Sequence, residues 1–171
     1  MLVVSAFMDP DLLKHCFAPV VDDDTRLIVL GSLPGEASLA QGGYYAHPRN
    51  QFSRLMGGVF GRDLVPLVYE DRLQALLGAG VGLWDTVASA ARAGSLDAAI
   101  RNHSPNALPE LAARLPQLRA VAFNGGKSAA VGRKALGATP LRLIHLPSSS
   151  PAFTMSFADK QAAWLRLRDL L

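Results

Sequence analysis

The chain has a single cysteine, Cys16, so it cannot close a disulfide on itself or build a thiolate cage for zinc or an iron–sulfur cluster. An unpaired thiol fits a reducing compartment, and a cytoplasmic protein is expected. Charged residues are scarce at 18%, against about 25% in an average domain, while half of the sequence is apolar. That balance excludes a disordered chain. No 18 apolar residues run together, and the opening MLVVSAFMDP has no basic segment, so neither a membrane span nor a secretory signal is expected. The spacings of several familiar sites are also missing. There is no HExxH for zinc, no GxSxG elbow, no Gly-Lys-Ser/Thr phosphate loop and no GxGxxG fingerprint. These absences argue against a metal hydrolase.

What remains is a length of 171 residues, enough for one domain, 1–171, with its own core. Charge is divided unevenly along it. Residues 1–85 carry six basic and ten acidic side chains, and residues 86–171 carry eleven and four, giving −4 against +7. A basic half permits contact with a polyanion. Four short apolar runs bounded by glycine, proline or polar residues read as buried strands: 26–31, 81–87, 118–124 and 141–146. Helical spacing falls between and after them, at 48–56, 69–77, 108–115, 127–136 and in a closing segment with Phe157, Trp164, Leu167 and Leu171 on one stripe. An amphipathic opening helix carries His15 beside Cys16. Strands alternating with helices predict an α/β fold with a parallel sheet covered on both faces.

Ligands of such sheets bind outside the carboxyl ends of the strands, and all four runs lead into unusual residues there. The first ends in Gly31-Ser32-Leu33-Pro34-Gly35 and continues into YYAHPRNQF, the second in Trp84-Asp85, the third in Asn124-Gly125-Gly126, and the fourth in LPSSSPA. The glycine loop can bring backbone amides close to a ligand or serve as a plain turn. Pro48 suits the first turn of a helix, which would put Asn50 near its amino end, with Tyr44 and Tyr45 offering ring faces before it. His47 reads as a loop cap. Asp85 at a buried strand end must be paired or functional, unless it caps 86–92. Asn124 can cap the next helix or read a base edge with its amide. His145 reads as a core histidine, and His103 as a solvated loop residue.

Taken in order, GSLPGEASL, YYAHPRNQF, GLWD with GSLDAAIRN, VAFNGGKSA, and LPSSSPA leading to KQAAW resemble the uracil-DNA glycosylase superfamily, most closely its hypoxanthine-DNA glycosylase branch. The resemblance implies a three-layer α/β/α fold around a four-stranded parallel sheet. It also implies a monomer that removes a deaminated base from DNA, extruding the nucleotide into a pocket at the strand ends. By the same resemblance Asn50 is the catalytic residue, with Asp85 the second candidate for activating water. Gly31, Ser32, Leu33, Pro34, Gly35, Tyr45 and Asn124 hold the base, Tyr45 by stacking and Asp85 and Asn124 at its edge. Lys127, Ser148, Ser149, Ser150, Ala152 and Phe153 contact the DNA, Phe153 standing where many relatives carry a leucine wedge nearby.

Two positions depart from the superfamily. Leu33 stands where many members carry Asp or Asn, which the hypoxanthine branch is thought to lack, and Ser53 stands where relatives have tryptophan. Three alternatives remain: a mismatch-type uracil-DNA glycosylase, an inert nucleic-acid-binding member of the fold, and an unrelated small-metabolite enzyme using the same strand ends.

Overall fold

The computed structural model describes residues 9–171. Its centre is a four-stranded, fully parallel sheet built from β2 (Leu27–Gly31), β3 (Val81–Asp85), β6 (Ala120–Asn124) and β7 (Arg142–Leu146), in the order β3-β2-β6-β7. β2 and β6 are buried along their whole length, because alternate residues feed two cores. A short helix, α1 (Glu36–Gln41), follows β2 in the loop behind it. Leu27, Val29, Ala120 and Ala122 face one core with α2 (Phe52–Phe60), α3 (Tyr69–Gly78) and α6 (Phe157–Trp164). Ile28, Leu30, Val121 and Phe123 face the other with α4 (Leu108–Ala113) and α5 (Gly126–Leu136). The result is the three-layer α/β/α arrangement expected. The closing segment is α6 followed by a 3-10 stretch, Leu165–Leu170, whose Leu167 is fully buried.

Several expectations are corrected. The run 81–87 is not one strand: it ends at Asp85, and β4 (Val87–Ala91) turns away into a separate antiparallel sheet. That sheet has the order β1-β4-β5, with β1 at Leu13–His15 and β5 at Arg101–Pro105. Asp85 therefore caps no helix at 86–92. His15 lies in a strand, not in an opening helix, and the part of that expected helix before residue 9 lies outside the described residues. His103 belongs to the exposed strand β5. His145 points to solvent, since β7 is an edge strand whose buried positions are Ile144 and Leu146. A small third cluster, Leu33, Val87, Ala90, Ile100 and Val131, joins the second sheet to α5.

The helix expected from Pro48 begins at Phe52 instead. The Asn50 side-chain oxygen accepts the Phe52 amide at 2.9 Å, and the Asn50 amide bonds to the His47 carbonyl, so residues 47–50 form a turn ahead of it.

Candidate active site

The ends of β2, β3 and β6 meet where the strand order changes direction on either side of β2, the place where open α/β sheets bind ligands. A cavity of about 480 Å³ opens there. Gly31, Ser32, Leu33, Pro34, Gly35, Tyr45, Asn50, Asp85, Asn124, Lys127, Ser148, Ser149, Ser150, Ala152 and Phe153 all line it. Topology brings these residues together from five separate stretches of chain.

At the floor lies Asp85, 3% exposed. A Cβ on Gly31 would come within 2.5 Å of its Oδ1, so only glycine leaves the carboxyl its place. Its Oδ2 is buried without a hydrogen-bond partner, and so is the Tyr45 hydroxyl. Burial, reinforced by the negative charge of Asp97 and opposed by Arg92, pushes the Asp85 carboxyl up to about 7. Burial and Asp85 likewise push the Tyr45 hydroxyl upward. Tyr45 adopts φ 55, a left-handed conformation costly for an aromatic residue. One face of its ring stacks on Phe52, with centroids 4.1 Å apart and planes 15° from parallel.

Asn124 is tied to the fourth loop: its amide donates to Ser149 Oγ at 2.9 Å, and its carbonyl accepts the Ser149 backbone N–H at the same distance. Its other amide hydrogen lies on the side of the Tyr45 hydroxyl, without a hydrogen bond of normal geometry. Gly125, at φ 100, turns the chain into α5 directly beneath Ser148, placing Lys127 in the first turn at the cavity edge. His47 accepts the Arg49 amide through Nδ1, the loop-capping role expected of it. Asn50 spends its carbonyl on Phe52, which leaves its NH₂ group for the cavity. Leu33 is buried in the third cluster, where it anchors the glycine loop. Ser53 is buried within α2. Phe153 is 44% exposed at the rim, beside exposed Ala152.

Five further residues were not assigned to the site from sequence, although Lys160 lies in the KQAAW stretch and Ser95, Leu96 and Asp97 in GSLDAAIRN. Lys160, 1% exposed, donates from α6 to Gln51 Oε1 at 2.9 Å and to the Ser150 carbonyl at 3.1 Å, stapling two site loops together. Burial lowers its proton affinity. Arg92 is buried and donates to the carbonyls of Leu33, Pro34 and Gly94, clamping the glycine loop against the second sheet. Ser95, Leu96 and Asp97 complete the rim from that sheet's connection, and Asp97 accepts from the Ser32 hydroxyl at 2.5 Å. Their position depends on the antiparallel sheet, which the hydrophobic pattern does not announce.

Among the described residues, no three His, Cys, Asp or Glu side chains gather as a metal site, and no helix is long and apolar enough to cross a membrane.

Fold and site together define a class: an α/β/α protein with a pocket at its strand ends, floored by a carboxyl and a hydroxyl. The family model of the uracil DNA glycosylase superfamily matches residues 18–169, and the chain belongs to that superfamily as a DNA glycosylase, a hydrolase of N-glycosyl bonds. Hypoxanthine DNA glycosylase of Methanosarcina barkeri is 38% identical over 151 residues, covering 88% of this chain and 95% of that protein. The hypoxanthine DNA glycosylase of Methanosarcina acetivorans is 33% identical over 153 residues, covering 90% and 96%. The solution structure of a candidate uracil DNA glycosylase from Methanosarcina acetivorans superposes with a TM-score of 0.81 at 33% identity, covering 92% of this chain and 98% of that one.

Proposed function

We propose that the protein excises hypoxanthine from DNA, acting as a monomer in the cytoplasm without metal or cofactor and leaving an abasic site. The observation that carries this reading is the pair of buried, unpartnered polar atoms in one cavity, Asp85 Oδ2 and Tyr45 Oη. Burying such atoms unpaired costs about 1–3 kcal/mol each, a cost that a ligand with matching groups removes. Hypoxanthine presents two neighbouring acceptors, O6 and N7. A neutral Asp85 carboxyl and the Tyr45 hydroxyl are two donors for them. Adenine carries an amino group at the same corner, so one donor would face another. Tyr45, its ring stacked on Phe52, meets the base with its hydroxyl rather than with a ring face, and the Asn124 side chain reaches the same edge. Asn50 holds the sugar or the attacking water with its free NH₂, and Lys127 and the 148–153 loop grip the backbone. The two relatives named hypoxanthine DNA glycosylase support the same substrate.

Extruding the nucleotide from a duplex costs a few kcal/mol, less at a mismatch, which favours an inosine that pairs weakly. Hydrolysis itself asks for donors aimed at the charge developing on the leaving base, each worth about 3–4 kcal/mol. The test uses oligonucleotides with one inosine, uracil, xanthine or adenine, treated with protein and then with alkali. Breaks at inosine, and a gain in adenine release by Tyr45→Phe relative to wild type, are expected. Cleavage only at uracil would replace the substrate. Tight binding without breaks on any oligonucleotide would identify an inert DNA-binding member of the superfamily.

A further inference from the structure

Two carboxyl groups line the cavity, and they sit in opposite surroundings. Asp85 is sealed from water, has an unpartnered oxygen and touches no cation. Arg92, the guanidinium nearest to it in charge terms, is committed to three backbone carbonyls. Asp97 opens the 3-10 turn Asp97–Ala99 at the rim, is only partly buried, and has the Ser32 hydroxyl as donor to one oxygen at 2.5 Å. It is firmly placed, because Arg92 ties Gly94 to Leu33 and Pro34, and Ser95 Oγ accepts the Glu36 amide at 2.9 Å. Where one carboxyl of a site is sealed from water and another faces it, the sealed one suits the role of acid and the water-facing one that of base.

Resting on the base-excision reading above, we propose that Asp97 is a catalytic carboxylate of this enzyme, working as a pair with Asp85. The oxygen of the attacking water bonds to C1′ while one of its protons passes to Asp97, whose negative charge also faces the sugar as it becomes cationic. The bond from C1′ to the base nitrogen breaks, and its electron pair leaves with the base, which takes the proton of Asp85. Asp97 then gives its proton to solvent and Asp85 regains one, so the net change is addition of water across the glycosidic bond. The groups that face this pair are Arg92, Ser32, Tyr44, Tyr45 and Cys16.

The test is single-turnover release of hypoxanthine from an inosine duplex between pH 5 and 9, for wild type, Asp97→Asn and Asp97→Ala. The asparagine variant keeps an acceptor for Ser32, so the loop keeps its anchor. It is expected to lose about 100-fold or more in rate, with unchanged melting temperature and unchanged affinity for a duplex carrying a tetrahydrofuran abasic analogue. Its remaining rate should fall at lower pH than that of wild type, because Asp85 ionises more easily once the neighbouring charge is gone. Added formate should restore rate to Asp97→Ala by supplying a carboxylate. An Asp97→Asn rate within threefold of wild type would overturn the proposal, as would a rate loss matched by lost affinity or folding. Should the asparagine variant fold poorly, the alanine variant decides: an intact fold without rescue by formate rejects Asp97. If wild type itself releases no base from inosine, uracil or xanthine duplexes, the base-excision reading fails, an outcome distinct from failure of the Asp97 assignment.

Discussion

Asp85 couples the chemistry of the site to the stability of the fold. Its folded-state pKa, about 7, lies above the ordinary carboxylate value, so the folded protein binds the proton more tightly than the unfolded chain does. Its stabilising contribution is complete below pH 4 and is lost as pH rises toward and through 7. An upward shift of that size corresponds to about 4 kcal/mol at most. Asp85→Asn should therefore melt above wild type at pH 8 and no higher than wild type at pH 4, which calorimetry at the two pH values measures; no gain at pH 8 would mean that the carboxyl ionises freely where it lies. Activity should carry the same signature, with the single-turnover rate falling as pH rises through about 7. Asn50 allows a cleaner separation of roles. Asn50→Asp keeps an acceptor for the Phe52 amide but removes the NH₂ group. We expect it to keep the wild-type melting temperature and to lose base release by about 100-fold. Near-normal release would leave Asn50 with only the turn to hold.

At the scale of elements, the central sheet was legible because β2, β3, β6 and β7 are short apolar runs closed by Gly31, Asp85, Asn124 and Leu146. Parallel strands buried on both faces leave such a signal. The second sheet was not legible. β1 is only three residues long, β5 is exposed throughout, and its pairing with β4 is irregular at Val87/Ser89 and Ser89/Ala91. Neither alternation nor an apolar run marks it. The site was readable where its residues follow strand ends, and hidden where they depend on that sheet, as with Arg92 and Asp97, or on distant helix packing, as with Lys160. The Lys160 staple predicts that Lys160→Ala leaves Gln51 Oε1 and the Ser150 carbonyl without their donor, at a cost of about 1–3 kcal/mol for each acceptor that stays buried. Hydrogen exchange should then quicken in residues 148–153 before it does in β6. Uniform exchange would mean that the loop is held by other contacts. Packing of α5 is as close: a Cβ on Gly132 would lie 2.3 Å from Phe123 Cε1, so Gly132→Ala should destabilise through that contact, and an unchanged melting temperature would show that the helix shifts freely.

The whole molecule joins a parallel sheet that supplies the pocket to a small antiparallel sheet that completes its rim, with net positive charge in the second half of the chain. Binding to DNA should release counterions, so affinity for an inosine duplex is expected to fall by about tenfold or more between 50 and 200 mM salt. Lys127→Ala should lower the log–log slope by about one. A flat salt response would place the basic half away from the DNA. If, as proposed, water, donors and carboxyl groups of this chain carry out the hydrolysis, treatment with EDTA leaves the rate unchanged. The central claim, that the strand-end cavity accepts an extruded deaminated base and hydrolyses its glycosidic bond, is tested most directly by mass spectrometry of the products from a duplex with one inosine. The account predicts free hypoxanthine in equal amount to abasic sites, with the strand unbroken until alkali is added. Saturating binding with no free base from inosine, uracil or xanthine would contradict it.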